Sequence, residues 1–458
     1  MMALYRNNWK LSTNNEQAPA GISVQKDETP ERRGRAADRR FSEESVARAK
    51  KVLTGGGSAR YNQSGSLSRP ATQEEGAIRK RGRIHMSTSQ VFFTDFHATP
   101  GETLPQKLHR LMKRAGFERI DFTNRYAAIK IHFGELGNLA HLRPQYAKVV
   151  VDYVRQLGGR AFLTDCNTLY VGSRKNALDH LDTAYLNGFS PLQTGCHVII
   201  ADGLKGSDET LVPIDLPLVK EAKIGRAIMD ADIVISLSHF KGHEEAGFGG
   251  ALKNLGMGSG SRAGKMEQHW EGKPVVNTER CIGCGSCVRI CAHDGPRVTD
   301  GKARIDHAKC VGCGRCLAIC PKDAIEPSDS NSTAILSCKI AEYAYAVVKD
   351  RPAFHISLIC DVSPFCDCHA ENDMPIIPNV GMLASFDPVA LDQACVDLCN
   401  RMPVLEGSRL DRNIKSFWND DPNHEYFHMN HPDAEWEAGL VHAEEIGLGS
   451  RQYELVKI

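Results

Sequence analysis

The chain has 458 residues, 41% of them hydrophobic, and 56 Lys and Arg balance 56 Asp and Glu to a formal net charge of zero. That length accommodates two or more domains with their own cores, and the charge balance excludes an electrostatic case for nucleic acid or an anionic membrane as partner. No apolar run approaches the roughly eighteen residues of a membrane span, no signal peptide with an apolar h-region is visible, and sixteen cysteines, half of them in ligand-like spacing, point to a reducing cytoplasm.

Residues 1–85 are rich in Arg, Glu, Ser, Asn and Gly without a lasting apolar period. A disordered extension is expected there, either a localisation arm or a translational extension. From Val91 onward the pattern alternates strand and helix. Val91–Phe93 reads as a strand and Thr103–Ala115 as a helix, with Leu104, Leu108, Leu111 and Met112 on one face and Gly116 as its stop. Then follow a strand at Tyr126–His132, a helix at Pro144–Leu157, a strand at Ala161–Thr164 and a helix at Arg174–Leu186. A strand at His197–Ile200, a helix at Pro217–Met229 and a strand at Ile233–Ser236 complete the first half. After the cysteine-rich segment come a helix at Thr333–Val348, a strand at Phe354–Ile359 and a helix at Pro388–Leu398. One amphipathic helix near Ala434–Ile446 and a last strand near Tyr453–Val456 end the chain. Alternation of this kind implies βαβ units and a mostly parallel sheet with helices on both faces. The expected organisation is therefore an α/β domain in two parts, 86–270 and 329–458, interrupted by a smaller α+β unit at 271–328. Two α/β domains hinged about that unit are the alternative.

The interrupting unit carries the sharpest chemistry. Cys281, Cys284, Cys287 and Cys291 are followed, after eighteen intervening residues, by Cys310, Cys313, Cys316 and Cys320, so each half repeats the spacing i, i+3, i+6, i+10. This is the bacterial ferredoxin run, in which three close thiolates bind one cubane and the fourth cysteine ligates the other. The reading is two [4Fe–4S] clusters, one on Cys281, Cys284, Cys287 and Cys320, the other on Cys310, Cys313, Cys316 and Cys291. Gly283, Gly285, Gly312 and Gly314 permit the positive φ needed to wrap a cluster, and Asp300-Gly301 is a two-residue hairpin turn. Zinc sites seldom use this spacing twice, and disulfides need an oxidising compartment. Ala292 departs from the usual proline after the fourth cysteine.

Ligands of an open parallel sheet bind at the carboxyl ends of its strands. Three groups of polar residues follow strands: His132, Glu135 and Asn138; Asp165 and Asn167; and His239, Lys241 and His243. Asp165 and Asn167 are also plausible turn or helix-cap formers. The run Gly249-Gly250-Ala-Leu-Lys253-Asn254 suits backbone that closely approaches an anionic ligand, or else a linker into the cysteine unit. It lacks the ending of a P-loop. Cys366, Cys368 and His369 could hold a further metal or act as a redox thiol group.

From about Met86 onward the chain resembles the DUF362 iron–sulfur proteins, prokaryotic proteins named for a domain of unknown function. The matching segments are Lys130-Ile-His-Phe-Gly-Glu135, Asp165-Cys-Asn-Thr168, Lys253-Asn-Leu-Gly-Met-Gly258, the double cysteine motif and Ser363-Pro-Phe-Cys-Asp-Cys-His369. The resemblance implies an α/β domain with two [4Fe–4S] clusters and no defined reaction. Locally, His243 to Lys253 looks like the segment of nickel-pincer lactate racemases in which a histidine precedes a cofactor-bearing lysine by ten residues. Here Gly249 replaces the usual serine and Leu252 the usual arginine.

Two functions follow as expectations. The first is a redox enzyme passing electrons between the clusters and a substrate or cofactor near His132, Glu135, Asp165, His239, His243 and Lys253. The second is an electron-transfer subunit docking onto a redox partner protein, without chemistry of its own. Cluster-based sensing is disfavoured because no nucleic-acid-binding motif or basic face appears.

Overall fold

Eight strands form one mixed sheet: β1 (Ser89–Asp95), β2 (Tyr126–Lys130), β3 (Arg160–Asp165), β4 (Val198–Ile200), β5 (Ile233–His239), β6 (Ala353–Ile359), β7 (Gly381–Ser385) and β8 (Tyr453–Lys457), in the order β8-β1-β7-β6-β5-β2-β3-β4. The computed structural model describes residues 88–458 except 170–171, 270–272, 311, 313, 328–332 and 419–424. The expected extension 1–85 and Cys313 lie outside the described residues. Strands β6, β5, β2, β3 and β4 are parallel neighbours, β8 pairs parallel with β1, and β7 alone runs antiparallel to both its neighbours. Strands from before and after the cysteine-rich segment thus share one sheet, with that segment interrupting an α/β layer structure.

Burial explains the layers. All seven residues of β5 are buried, which is why it reads as a continuous apolar run. Ile233, Ile235 and Leu237 enter the apolar core beneath α1 (Leu104–Arg114) and α2 (Pro144–Gln156). Val234 faces the other core, built with α4 (Ala251–Ser259), α6 (Thr333–Val348) and α7 (Pro388–Cys399); α3 (Ala177–Leu186) follows α2 and α5 (Arg262–His269) follows α4 in the chain. The order of strand addition reverses between the parallel neighbours β5 and β2, since β2 leads outward to β3 while β5 neighbours β6 on the opposite side. The carboxyl ends at that switch point, Lys130 and His239, border the cleft where open α/β sheets bind ligands.

Four local expectations are corrected. The stretch expected as a helix over 217–229 is a hairpin, Glu209–Pro213 against Glu221–Gly225, followed by one helical turn at Arg226–Met229. The Glu342 carboxylate accepts the Leu218 and Val219 amides, and Ala222 and Ile224 alternate inward at period two. Helix α3 begins at Ala177 rather than Arg174, because Asn176 caps it and Arg174 turns into the interior. The glycine-rich stretch is neither linker nor open loop but a short strand (Gly247–Gly249) and two helices, α4 and α5. Tertiary packing overrides helix propensity here: a Cβ on Gly256 would lie 2.1 Å from the Ile340 carbonyl oxygen of α6. The C-terminal region holds, besides the expected helix at Trp436–Glu445, two short helices at Arg409–Asn413 and Tyr426–Asn430, and β7 was not anticipated.

Within the insert, Pro296–Thr299 pairs with Lys302–Ile305 across the expected Asp300-Gly301 turn, both turn residues having positive φ. Short helices Ser286–Ile290 and Arg315–Ile319 follow Gly285 and Gly314. Gly283 has no room for a side chain, since a Cβ there would meet the Gly301 carbonyl oxygen at 2.3 Å. The insert is keyed onto the α/β layer by Arg262 of α5. This fully buried guanidinium donates to the Lys205, Thr168 and Lys175 carbonyls, and a Cβ on Gly314 would meet its side chain at 2.8 Å. A Lys175–Asp323 ion pair adds a second tie.

Candidate functional site

A cavity opens at the carboxyl ends of β2, β3 and β5. Its walls bring together most of the polar groups that the sequence scattered over more than two hundred residues. His132, Asp165, His239, His243, Gly249, Gly250, Lys253, Asn254, Cys366 and Cys368 all line it. Glu135, Asn167 and His369 do not line it, and stand behind it.

Two buried ion clusters brace the walls. Lys130 Nζ lies 2.9 Å from Asp165 Oδ1 and donates to Asn254 Oδ1 at 2.9 Å. Asn254 in turn donates to the Lys130 carbonyl and the Ser238 hydroxyl, so β2, β5 and α4 are fixed as one unit. Gly258 is required by this arrangement, because a Cβ there would lie 2.5 Å from Lys130 Nζ. Burial works to raise the Asp165 carboxyl, but Lys130, His180 and His132 together hold it well below the ordinary carboxylate range. Behind this pair, Arg174 joins Glu135 at 3.0 Å and reaches His132 Nε2 at 3.2 Å. Burial and the Arg174 charge push His132 well below the usual imidazole value. Glu135 also accepts from the Ser173 amide and hydroxyl. It is therefore a buttress for Arg174 and not a group facing the cavity.

The second cluster lies under the Cys366–His369 turn. Asp367 is fully buried, with His239 Nδ1 at 2.9 Å and Lys241 Nζ at 3.1 Å. Burial opposes its ionisation, yet His239 and Lys241 hold it well below the usual range. The second ring nitrogen of His239 meets the Cys360 carbonyl at 2.7 Å. Both nitrogens are engaged, which makes His239 a positioning residue for the turn, although sequence placed it among the groups beside a substrate or cofactor. The sequence places Lys241 with His239 and His243 at a strand end, whereas Asp367, Lys130 and Arg174 are not singled out there as site residues; Lys130 and Asp367 lie within the segments that resemble the family, and that is their only signal in the sequence.

Asn167 also takes a structural role: its amide group donates to Asp202 Oδ1 and the Gly203 carbonyl, both at 2.8 Å. Burial raises the Asp202 carboxyl to about 6. The Ala251 and Leu252 amides at the start of α4, which a bound anion would need, are already taken by Asp392 at 2.7 and 2.9 Å. A Cβ on Gly250 would strike that carboxylate at 2.3 Å. The glycines thus admit a protein carboxylate, and the anion-nest reading of this run loses its donors.

Cys366 lines the cavity with a thiol of lowered pKa. Its hydrogen bond with Cys368 lowers its pKa, burial opposes, and Lys253 and His243 bring it well below the ordinary thiol value. Cys368 is pushed up correspondingly. Lys253 Nζ stands 3.9 Å from Cys366 Sγ. Ligand atoms of His243, Cys366 and Cys368 lie within 4.8 Å of one another, as do those of Glu244, Cys368 and His369. Either group could hold a metal ion. His369 also pairs with Glu244 at 2.6 Å, and that carboxylate raises its pKa.

In the insert, Cys281, Cys284, Cys287 and Cys320 line one separate cavity. Backbone amides of Gly283 and Ala303 point at Cys281 Sγ (3.5 and 3.3 Å), and that of Ala324 at Cys320 Sγ (3.2 Å). The His293 amide points at Cys291 Sγ at 3.4 Å. Cys310 packs near Gly295 and Cys316 is buried. Leu169, which lines the large cavity, and Met266 share one apolar cluster with Cys281, Cys287, Cys316 and Leu317.

The fold and these cavities define a mixed α/β protein with a cysteine-rich insert set against a polar cleft. The chain belongs to the family described as Domain of unknown function (DUF362), which matches residues 127–397. It is similar to the thylakoid-associated protein sll1697 of Synechocystis sp., 26% identical over 165 residues, 33% of this chain and 47% of that protein. The chain thus matches about half the length of that curated relative. Among solved structures it is similar to a protein from Thermotoga maritima (12% identity, TM-score 0.35, covering 65% of this chain and 57% of that one). It is also similar to the lactate racemase apoprotein from Thermoanaerobacterium thermosaccharolyticum (12% identity, TM-score 0.30, 56% and 49%). No helix among the described residues is long and apolar enough to cross a membrane.

Proposed function

We propose that this chain is an iron–sulfur redox protein that moves electrons between its cysteine-rich insert and the α/β cavity. Cys281, Cys284, Cys287 and Cys320 would hold one [4Fe–4S] cluster, and Cys310, Cys313, Cys316 and Cys291 the second. The observation that carries this reading is the convergence of four cysteines from both halves of the motif on one cavity, with amides of Gly283, Ala303 and Ala324 aimed at their sulfurs. Amide donors to thiolate sulfur are what a cluster site uses to tune its potential. Bound clusters supply one-electron transfer.

The chain's own residues give that transfer a route. Leu169, which lines the large cavity, and Met266 belong to the apolar cluster of the cysteine core, and Arg262 holds the two parts in register. The Lys130–Asp165 and His239–Asp367–Lys241 clusters keep the cavity walls fixed while Cys366 faces inward. A redox partner protein would supply or withdraw electrons at the exposed side of the insert, where Cys284 is exposed.

Anaerobic purification followed by iron and sulfide analysis and EPR tests the reading. About eight irons per chain are expected, and Cys320→Ser should lose the signal of one cluster while retaining the other. A chain with four irons or fewer, or with zinc in their place, refutes the two-cluster assignment.

A further inference from the structure

Cys366 and Cys368 belong to a turn closed by the His369 amide on the Cys366 carbonyl at 3.1 Å. Asp367 between them is anchored to His239 and Lys241 on the far side. Both sulfurs therefore face the cavity, within 4.8 Å of each other and of a His243 ring nitrogen. His243 Nδ1 accepts the Glu245 and Ala246 amides, both at 3.1 Å. An amide donates only to an unprotonated nitrogen, so the proton of neutral His243 sits on Nε2, the nitrogen left to meet Cys366. A metal-bound histidine normally donates from its second nitrogen, and here that nitrogen is an acceptor. The hydrogen bonding thus favours His243 as an N–H donor to a thiolate over His243 as a metal ligand. Lys253, 3.9 Å from the same sulfur, adds a cation.

We infer that Cys366 and Cys368 form a redox-active dithiol, in which Cys366 attacks a low-molecular-weight disulfide within the cavity and Cys368 resolves the mixed disulfide. Cys366 is only 2% exposed, so a small disulfide reaches its sulfur more readily than the disulfide of a folded protein does. In the first step the Cys366 sulfur bonds to one substrate sulfur as the substrate S–S bond breaks and one thiolate leaves. In the second, the Cys368 sulfur bonds to Cys366, its proton passes to the second departing sulfur, and that thiol is released. The substrate is reduced by two electrons and the cysteine pair is oxidised by two. Two electrons and a proton restore the thiolate–thiol pair, from the insert under the proposed function or from an added dithiol in the test tube. The inference deepens the redox reading by naming a two-electron acceptor, and its test is independent of iron content.

The full-length protein, reduced with dithiothreitol and desalted anaerobically, is mixed with hydroxyethyl disulfide, quenched with acidic N-ethylmaleimide, digested and analysed by mass spectrometry. The peptide carrying both cysteines should appear lighter by two hydrogens and resistant to N-ethylmaleimide, and dithiothreitol should reverse this. Cys368→Ser should trap the mercaptoethanol half on Cys366, and Lys253→Met should slow that adduct on the order of tenfold through loss of thiolate stabilisation. The inference is overturned if Cys366→Ser forms the adduct on Cys368 as fast as Cys368→Ser forms it on Cys366. It is equally overturned if a stoichiometric metal ion protects both cysteines until it is chelated. Iron analysis of the same sample reports separately on the clusters.

Discussion

Replacing Asp367 by Asn isolates the contribution of the buried ion cluster beneath the cysteine turn. The carboxylate is fully buried, and it faces His239 at 2.9 Å and Lys241 at 3.1 Å, both themselves almost wholly buried. The amide preserves shape and one acceptor but removes the charge that compensates the Lys241 ammonium. Deleting one partner of a buried pair costs about 3–5 kcal/mol, and the retained acceptor places the expected loss near the lower end, about 3 kcal/mol. With a urea dependence of about 3 kcal/mol per molar, the unfolding midpoint should fall by about 1 M under anaerobic conditions. Asp95→Asn serves as the contrast, because Asp95 is half exposed in its pair with Lys107 and should lose about 1 kcal/mol or less. Midpoints that coincide for the two variants would refute the assignment of Asp367 as the anchor of the turn.

Gly256→Ala should destabilise the protein although alanine is the better helix former by about 1 kcal/mol. The added methyl would lie 2.1 Å from the Ile340 carbonyl, and overpacking of this kind costs about 1–3 kcal/mol, so a lower thermal midpoint is expected by circular dichroism. Arg262→Lys leaves buried carbonyls of the 168–175 loop without donors, at about 1–3 kcal/mol each, and should loosen the insert, read as faster hydrogen exchange around Gly314. Burial lowers His180 and His355 to about 3, whereas an unfolded histidine titrates near about 6.5. Between those values only the unfolded chain binds the proton, so stability is complete above about 6.5 and falls as pH drops. The loss at pH 5 is about 2 kcal/mol per histidine, and His355→Leu should flatten this limb of a urea–pH series.

The cleft shows why a site can be half legible. His132, Asp165 and His243 were recognisable because polar residues follow apolar strands and strand ends in a parallel sheet share an edge, whereas Lys253 stood out by the glycines around it and Cys366 and Cys368 by their grouping with His369. Glu135, Asn167 and His239 carry the same signal but serve as braces. Nothing in the linear pattern separates a carboxylate that faces a cavity from one that fixes an arginine behind it. Arg174, by contrast, looked like the start of a helix, and only the Asn176 cap and the Glu135 carboxylate turned it inward.

The sequence by itself determined the alternation of strands and helices, the parallel character of the sheet, the Asp300-Gly301 hairpin and the grouping of eight cysteines into two repeats. Each of these rests on local periodicity, turn chemistry or spacing, which a chain carries before it folds. Contacts between distant segments decided the rest. The hairpin at Glu209–Gly225 depends on Glu342, more than a hundred residues away, and the glycine-rich stretch becomes helix because Asp392 caps it and Ile340 requires its bare backbone. The lowered pKa of Cys366 likewise arises only when Cys368, Lys253 and His243 meet around its sulfur.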